Sequence, residues 1–129
     1  LAQIEQLDKI IDEKRAIYNI YLKELDVLDK YRFIRNPPWG ESSHWLNAII
    51  MDDKKELNIE KIIMKLRESK IRANYFWKPL HLQKPYKFSL KSDFEGLNNI
   101  QNRILVLPSS PTLSLEEQFK ITNIIKSFF

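Results

Sequence analysis

With 129 residues, 43% of them hydrophobic and 29% charged, the chain has the make-up of one compact domain and not of a disordered segment. It contains no cysteine, which excludes a disulfide framework and a thiolate metal site and fits a reducing compartment. No apolar run approaches the roughly 20 residues needed to span a bilayer, so a soluble, cytoplasmic protein is expected.

The first predicted element is a long helix. Leu1, Ile4, Leu7, Ile11, Tyr18, Tyr21, Leu25 and Leu28 recur at three- and four-residue steps within residues 1–33, with one gap around Lys14. The pattern starts without an initiator Met or an N-cap residue, and its early acidic residues rule out a signal peptide. A helix that begins in mid-pattern predicts a fragment of something longer. "IRNPPWGESS" (34–43) is a turn or crossing loop. "HWLNAIIMD" (44–52) reads as a buried strand closed by a turn at Asp52-Asp53. "LNIEKIIMKLRESK" (57–70) reads as a helix, with Asn58 as N-cap and Ile59, Ile62, Ile63 and Leu66 on its inner face.

"IRANYFW" (71–77) is a second predicted strand and "WKPLHLQKPY" (77–86) a loop, because Pro79 and Pro85 exclude both a helix and a central strand. "DFEGLNNIQNR" (93–103) is a short helix interrupted by Gly96, and "ILVLP" (104–108) a short apolar strand stopped by proline. In the last helix (113–129), Ser114 three residues before Glu117 is a capping box, and Leu115, Phe119, Ile121, Ile124, Ile125 and Phe128 supply the buried side. The fold expected is an α/β or α+β sandwich: a small sheet of about three strands with helices packed on it, preceded by one long helix. Strand directions stay open at this point.

Chemistry is narrowed by elimination. Two glycines, Gly40 and Gly96, cannot build a glycine-rich phosphate loop, and His44 and His81 cannot build a histidine-rich zinc site. His44, opening a strand beside Trp45, reads as structural. No G-x-S-x-G elbow is present, and most carboxylates sit among lysines at helical spacing, as on solvated faces. The net charge of +4 is uneven, since residues 54–91 carry eleven Lys/Arg against three Glu. That middle is either a solvated basic face or a surface for an anionic partner. A stand-alone module for nucleic acid or another polyanion is the alternative reading, with Tyr75, Phe76, Trp77, Tyr86 and Phe88 interleaved among the cations. Against it, Phe76 and Trp77 are expected on the buried side of a strand. No helix-turn-helix or RNP-type signature is present, so a nucleic-acid partner is disfavoured. A helix-mediated interaction domain without a ligand is a third possibility.

Four runs carry a resemblance: "LAQIEQLDKIIDEKRAIYNIYLKEL", "HWLNAIIMD", "KLRESKIRANYFWKPLHLQKPY" and "NRILVLPSSPTLSLEEQ". In that order, and across essentially the whole chain, they resemble the carboxy-terminal domain of pyridoxal-phosphate-dependent sugar aminotransferases, the DegT/DnrJ/EryC1/StrS group of fold type I. "WKPLHLQ" and "LPSSPTLSLEEQ" are the most specific pieces. The resemblance implies a single small domain (1–129) whose large, cofactor-carrying domain is missing. It implies a parent that moves an amino group, from glutamate, onto a nucleotide-linked keto-sugar in bacterial surface-polysaccharide or glycan synthesis. That parent is a homodimer with pyridoxal phosphate. The Schiff-base lysine, the acidic partner of the pyridinium and the phosphate cradle belong to the large domain, so this chain alone is expected to hold no cofactor and to be inert.

In that group the loop matching residues 74–83 borders the nucleotide-sugar site. By resemblance, Asn74, Trp77, Lys78, His81 and Gln83 are the candidate substrate contacts. Lys78 offers a point charge to a diphosphate, His81 a hydrogen bond to a hydroxyl or carbonyl, and Trp77 a flat apolar wall. Without the resemblance Lys78 is a surface lysine, and Trp77 serves equally as a packing anchor. Asn74 stands where relatives often place arginine, and Arg72 need not replace it. An exposed apolar patch is expected on the first helix, where the missing domain packs.

Overall fold

The computed structural model describes residues 2–26, 31–51 and 59–129. The expected long helix is two: α1 (Ala2–Glu5) and α2 (Leu7–Leu25), separated at Gln6, whose ψ of 12° leaves the helical well. Ile17, Tyr18, Tyr21 and Leu25 form the buried stripe of α2, at one-, three- and four-residue steps. At the amino end of this first helical segment Ile4 is 72% and Leu7 50% exposed.

Residues read as the tail of that helix instead form strand β1 (Tyr31–Phe33). Tyr31 and Phe33 are buried and Arg32 is exposed, a period of two that three residues cannot separate from a helical step. Strand β2 (Asn47–Met51), helix α3 (Ile59–Glu68), strand β3 (Asn74–Tyr75), helix α4 (Glu95–Ile100), strand β4 (Ile104–Leu107) and helix α5 (Leu115–Lys126) follow. The turn expected at Asp52-Asp53 and the N-cap at Asn58 lie outside the described residues.

The four strands, one more than expected, form a single antiparallel sheet in the order β1-β2-β4-β3. Of the two fold alternatives it is the α+β one. Register places Phe33 opposite Ile49 and Ile49 opposite Leu105, so these side chains share one face. Helices α2, α3 and α5 cover that face, with Tyr21, Leu25, Ile62, Leu66, Ile121 and Ile125 in the same core cluster. A part-buried ion pair, Lys126 Nζ to Glu24 Oε2 at 2.7 Å, ties α5 to α2.

The capping box of α5 forms as expected. The Ser114 hydroxyl accepts from the Glu117 amide at 3.2 Å, and the Glu117 carboxylate accepts from the Ser114 amide at 2.8 Å. Its buried stripe is rotated from the expected one. Leu115 and Phe119 are exposed, while Gln118 and Thr122 are buried with Ile121 and Ile125. Each donates to a nearby carbonyl, Gln118 through its amide nitrogen to Leu113 and Thr122 to Phe119, while the buried Gln118 Oε1 has no partner among the described residues. Nor does Gly96 interrupt α4, which runs through it and continues as a 3-10 turn at Gln101–Arg103.

Helix α3 ends in a Schellman turn. The Ile71 amide donates to the Leu66 carbonyl at 2.9 Å and the Lys70 amide to the Arg67 carbonyl at 2.8 Å. Lys70 holds the left-handed position, φ 62°, where an L side chain is disfavoured and glycine is not. The exposed Lys70 side chain contributes no packing to offset this. Lys70→Gly is therefore expected to stabilise the chain by about 1 kcal/mol, seen as a higher urea midpoint at unchanged slope.

Candidate functional site

The loop at issue begins where β3 leaves the sheet. Only Asn74 and Tyr75 pair with β4, and one further bond, from the Phe76 amide to the Ile104 carbonyl at 3.3 Å, precedes the departure. The strand expected over 71–77 is thus two residues long. Pro79 is the physical reason, since its extended backbone (φ −53°, ψ 142°) and missing donor turn the chain into a 3-10 turn at Leu80–Leu82. Trp77 is 59% exposed, which corrects its expected place on a buried strand face, and Phe76 is half-buried.

Gln83 does not reach outward. Its side-chain amide donates to the Lys78 carbonyl at 2.8 Å, closing the ends of the 78–83 turn on each other. His81 crosses to α4, with Nε2 3.0 Å from Asn98 Oδ1 and the ring stacked on Phe94 at 4.5 Å and 14°. Trp77 leans against Phe76 and, across the sheet edge, against Trp45, at 5.4 Å each. Asn74 accepts from an Arg67 guanidinium nitrogen at 3.3 Å.

Four of the five candidates divide among three neighbouring clefts. Trp77 and Lys78 line one of about 310 Å³ with Tyr75, Pro79 and Gln101. His81 lines a second, of about 200 Å³, with Leu80, Tyr86 and Phe94. Asn74 lines a third, basic one with Arg67, Lys70 and Arg72. Gln83 holds the loop together.

Sequence reasoning passed over four contributors. Arg67, not Arg72, bonds Asn74, because the tight turn after α3 folds the helix end back beside β3. Trp45, expected in a buried strand, sits in the bend before β2 and is 65% exposed. Phe94 and Asn98 support His81 from thirteen and seventeen residues away. Of these only Trp45 stood out beforehand, as one of the three tryptophans in the chain.

His44 is buried, as its structural reading predicted, and stacks on Tyr18 at 4.0 Å. Burial, and then the Arg15 charge, hold its imidazole below the ordinary value of 6.5. A folded pKa below the unfolded one contributes stability that is full above 6.5 and is lost as pH falls through the folded value. The urea midpoint is therefore expected to drop between about pH 7 and pH 5, and to drop less in His44→Phe, which keeps the stack and cannot titrate. Equal slopes in the two proteins would sink this assignment.

Pyridoxal phosphate needs a neutral amine in a closed pocket, a carboxylate beside the pyridine nitrogen and a cradle for the phosphate. The clefts above do not fit it. Lys78 is exposed and none of the residues lining its cleft is acidic. Lys14, whose amine burial holds below the usual lysine range, donates to the Ser109 carbonyl at 2.8 Å. Among the described residues no group of three or more His, Asp or Glu could hold a metal ion. No described helix is long and apolar enough to cross a membrane.

Comparison with known proteins adds the following. The model of the DegT/DnrJ/EryC1/StrS aminotransferase family matches residues 1–126. The chain is 32% identical over 130 residues to GDP-perosamine synthase of Vibrio cholerae, aligning 100% of this chain with 35% of that protein. It is 29% identical over 133 residues to EpsN of Bacillus subtilis (strain 168), aligning 100% of this chain with 34% of that protein. EpsN is named as an inferred pyridoxal phosphate-dependent aminotransferase. Helicobacter pylori PseC, an aminotransferase involved in the biosynthesis of pseudoaminic acid, has the same fold over 100% of this chain and 35% of its own. There the TM-score is 0.87 and the identity 18%. The chain thus spans about a third of the length of the relatives it matches.

Proposed function

This chain belongs to the DegT/DnrJ/EryC1/StrS aminotransferase family, and we propose that it acts as the small domain of a longer, cytoplasmic aminotransferase. That enzyme moves an amino group, from glutamate, onto a nucleotide-linked keto-sugar for bacterial surface-polysaccharide or glycan synthesis. Pyridoxal phosphate is held by the remaining two thirds of the polypeptide, which work as a homodimer. The observation that carries the reading is one of extent: the family model matches nearly the whole chain, while relatives continue for twice its length again.

Within it, residues 74–83 shape the substrate side. Lys78 meets the diphosphate as an exposed cation, and Trp77, propped by Trp45, walls the sugar. The His81 imidazole, held by Phe94 and Asn98, presents its remaining nitrogen to a hydroxyl or carbonyl. Gln83 and the two prolines hold the loop in shape before a ligand arrives, which lowers the ordering cost of binding. Exposed Ile4 and Leu7 suit the contact with the rest of the polypeptide.

The exposure of Trp45, Trp77 and Phe88 weakens one ground on which nucleic-acid binding was set aside, so the test separates both readings. The full reading frame is expressed with added pyridoxal phosphate. A visible absorbance band that borohydride abolishes and glutamate shifts is the expected result. A frame whose product never binds the cofactor, or a chain that binds oligonucleotide with steep salt dependence, overturns it.

A further inference from the structure

Three cations meet where α3 turns toward β3. Arg67, Lys70 and Arg72 line a cleft of about 350 Å³ with Ile71 and Asn74, and no carboxylate is among the lining residues. Glu68, the nearest carboxylate in sequence, is bound to Lys65 at 3.1 Å. Glu60 lies in the first turn of α3, at its other end. The side chains of Lys70 and Arg72 have no hydrogen-bond or ion-pair partner among the described residues. The function proposed above draws on Asn74 from this cleft and on none of its cations.

Each of the three is held in place by something other than charge. Arg67 donates through Nη2 to Asn74 Oδ1 at 3.3 Å, which orients the guanidinium and leaves its remaining N–H groups without a partner among the described residues. Ile71 packs against the core and Ala73 is buried in it, while Arg72 and Asn74 are exposed. That alternation puts Arg72 and Asn74 on one side of the chain. Lys70 is set by its backbone, at φ 62° in the Schellman turn, where glycine would cost less. A strained position occupied by a side chain that packs on nothing is a reason to look for a role in its charge.

Three cations around one cleft repel one another unless an anion lies among them. A guanidinium offers paired N–H groups and an ammonium a point charge, and together they match the oxygens of a phosphoryl group. The volume falls within the roughly 300–1,000 Å³ of small-molecule sites. We propose that this cleft binds a phosphoryl dianion, free or carried by a nucleotide, with Arg67, Lys70 and Arg72 as its ligands. The inference does not rest on the aminotransferase reading, because neither the cofactor nor the longer polypeptide is needed to test it.

The chain is titrated with inorganic pyrophosphate at low ionic strength while backbone amide shifts are followed. Saturable shifts confined to residues 66–74 are expected, weakening as sodium chloride is raised. Arg72→Gln is expected to lower affinity about tenfold. Lys70→Gly should lower it as much while raising the urea midpoint, a pairing that an idle lysine would not give, and Lys70→Arg should keep the affinity. All three change exposed side chains. Lys84→Gln removes an exposed cation of the same basic stretch that lies outside the cleft, and should leave affinity unchanged. Uridine diphosphate titrated in parallel identifies the source. Tighter binding than pyrophosphate assigns the phosphoryl group to a nucleotide, equal or weaker binding assigns it to the free anion, and both outcomes support the site. Shifts that do not saturate, or undiminished affinity in Lys70→Gly and Arg72→Gln, overturn the inference. So does a loss in Lys84→Gln equal to that in Arg72→Gln, which would make the cations a diffuse basic face of the kind nucleic acid uses. A longer protein that never binds pyridoxal phosphate would leave this result untouched, so the two readings fail separately.

Discussion

Leu105→Ala is expected to lower the unfolding free energy by about 2–5 kcal/mol. Leu105 sits in β4 with strands on both sides, opposite Ile49 of β2 and Tyr75 of β3, and is fully buried. Its side chain faces the cluster formed by α2, α3 and α5. Truncation there removes apolar contact and leaves a cavity that three helices and two strands cannot jointly close. A domain of this size is held by only about 5–15 kcal/mol, so the loss is a large fraction of the whole. The matched control is Leu90→Ala. Leu90 is fully exposed, and its replacement is expected to move stability by no more than about 0.5 kcal/mol. Urea unfolding of the three proteins measures both. A small effect at Leu105 would mean that the helices do not pack on the sheet as described.

How much of this could be read beforehand depends on whether an element carries its own period. The buried stripes of α2 and α3 recur at helical spacing, and β2 and β4 are short apolar runs with turn signals. All four are visible in the sequence. Tyr31-Arg32-Phe33 alternates over three residues only, so it merged with the preceding helical pattern and β1 was missed. On α5 the apolar residues misled. Leu115 and Phe119 stand outside while Gln118 and Thr122 are buried, because the docking of α5 between α2 and α3 sets its rotation, and both polar side chains donate to local carbonyls.

The candidate loop shows the same boundary. Pro79 and Pro85 announce an irregular segment, and the resemblance singles out its residues. What each side chain does is decided by partners distant in sequence. His81 is placed by Phe94 and Asn98, Trp77 by Trp45, and Asn74 by Arg67. No spacing rule within the loop encodes those meetings. Gln83, by contrast, bonds within its own turn, its side-chain amide donating to the Lys78 carbonyl.

In the longer aminotransferase proposed above, Lys78→Gln is expected to raise KM for the proposed nucleotide-sugar substrate about tenfold with kcat little changed. A hydrogen bond to a charged group contributes about 1.5–3 kcal/mol, solvent screening at an exposed lysine trims that toward the lower end, and about 1.4 kcal/mol is one decade. A uniform contact of this kind weakens ground and transition states alike, so it appears in KM. His81 calls for two variants because its ring does two things: it stacks on Phe94 and it bonds Asn98. His81→Phe keeps the stack and loses the polar nitrogens; His81→Ala loses both. If the remaining nitrogen touches the sugar, the two variants should fall in kcat/KM by similar factors, about tenfold or more. If His81 only clamps the loop to α4, His81→Phe should recover most of what His81→Ala loses. Kinetics of both variants, beside thermal unfolding of each, separate a binding residue from a brace.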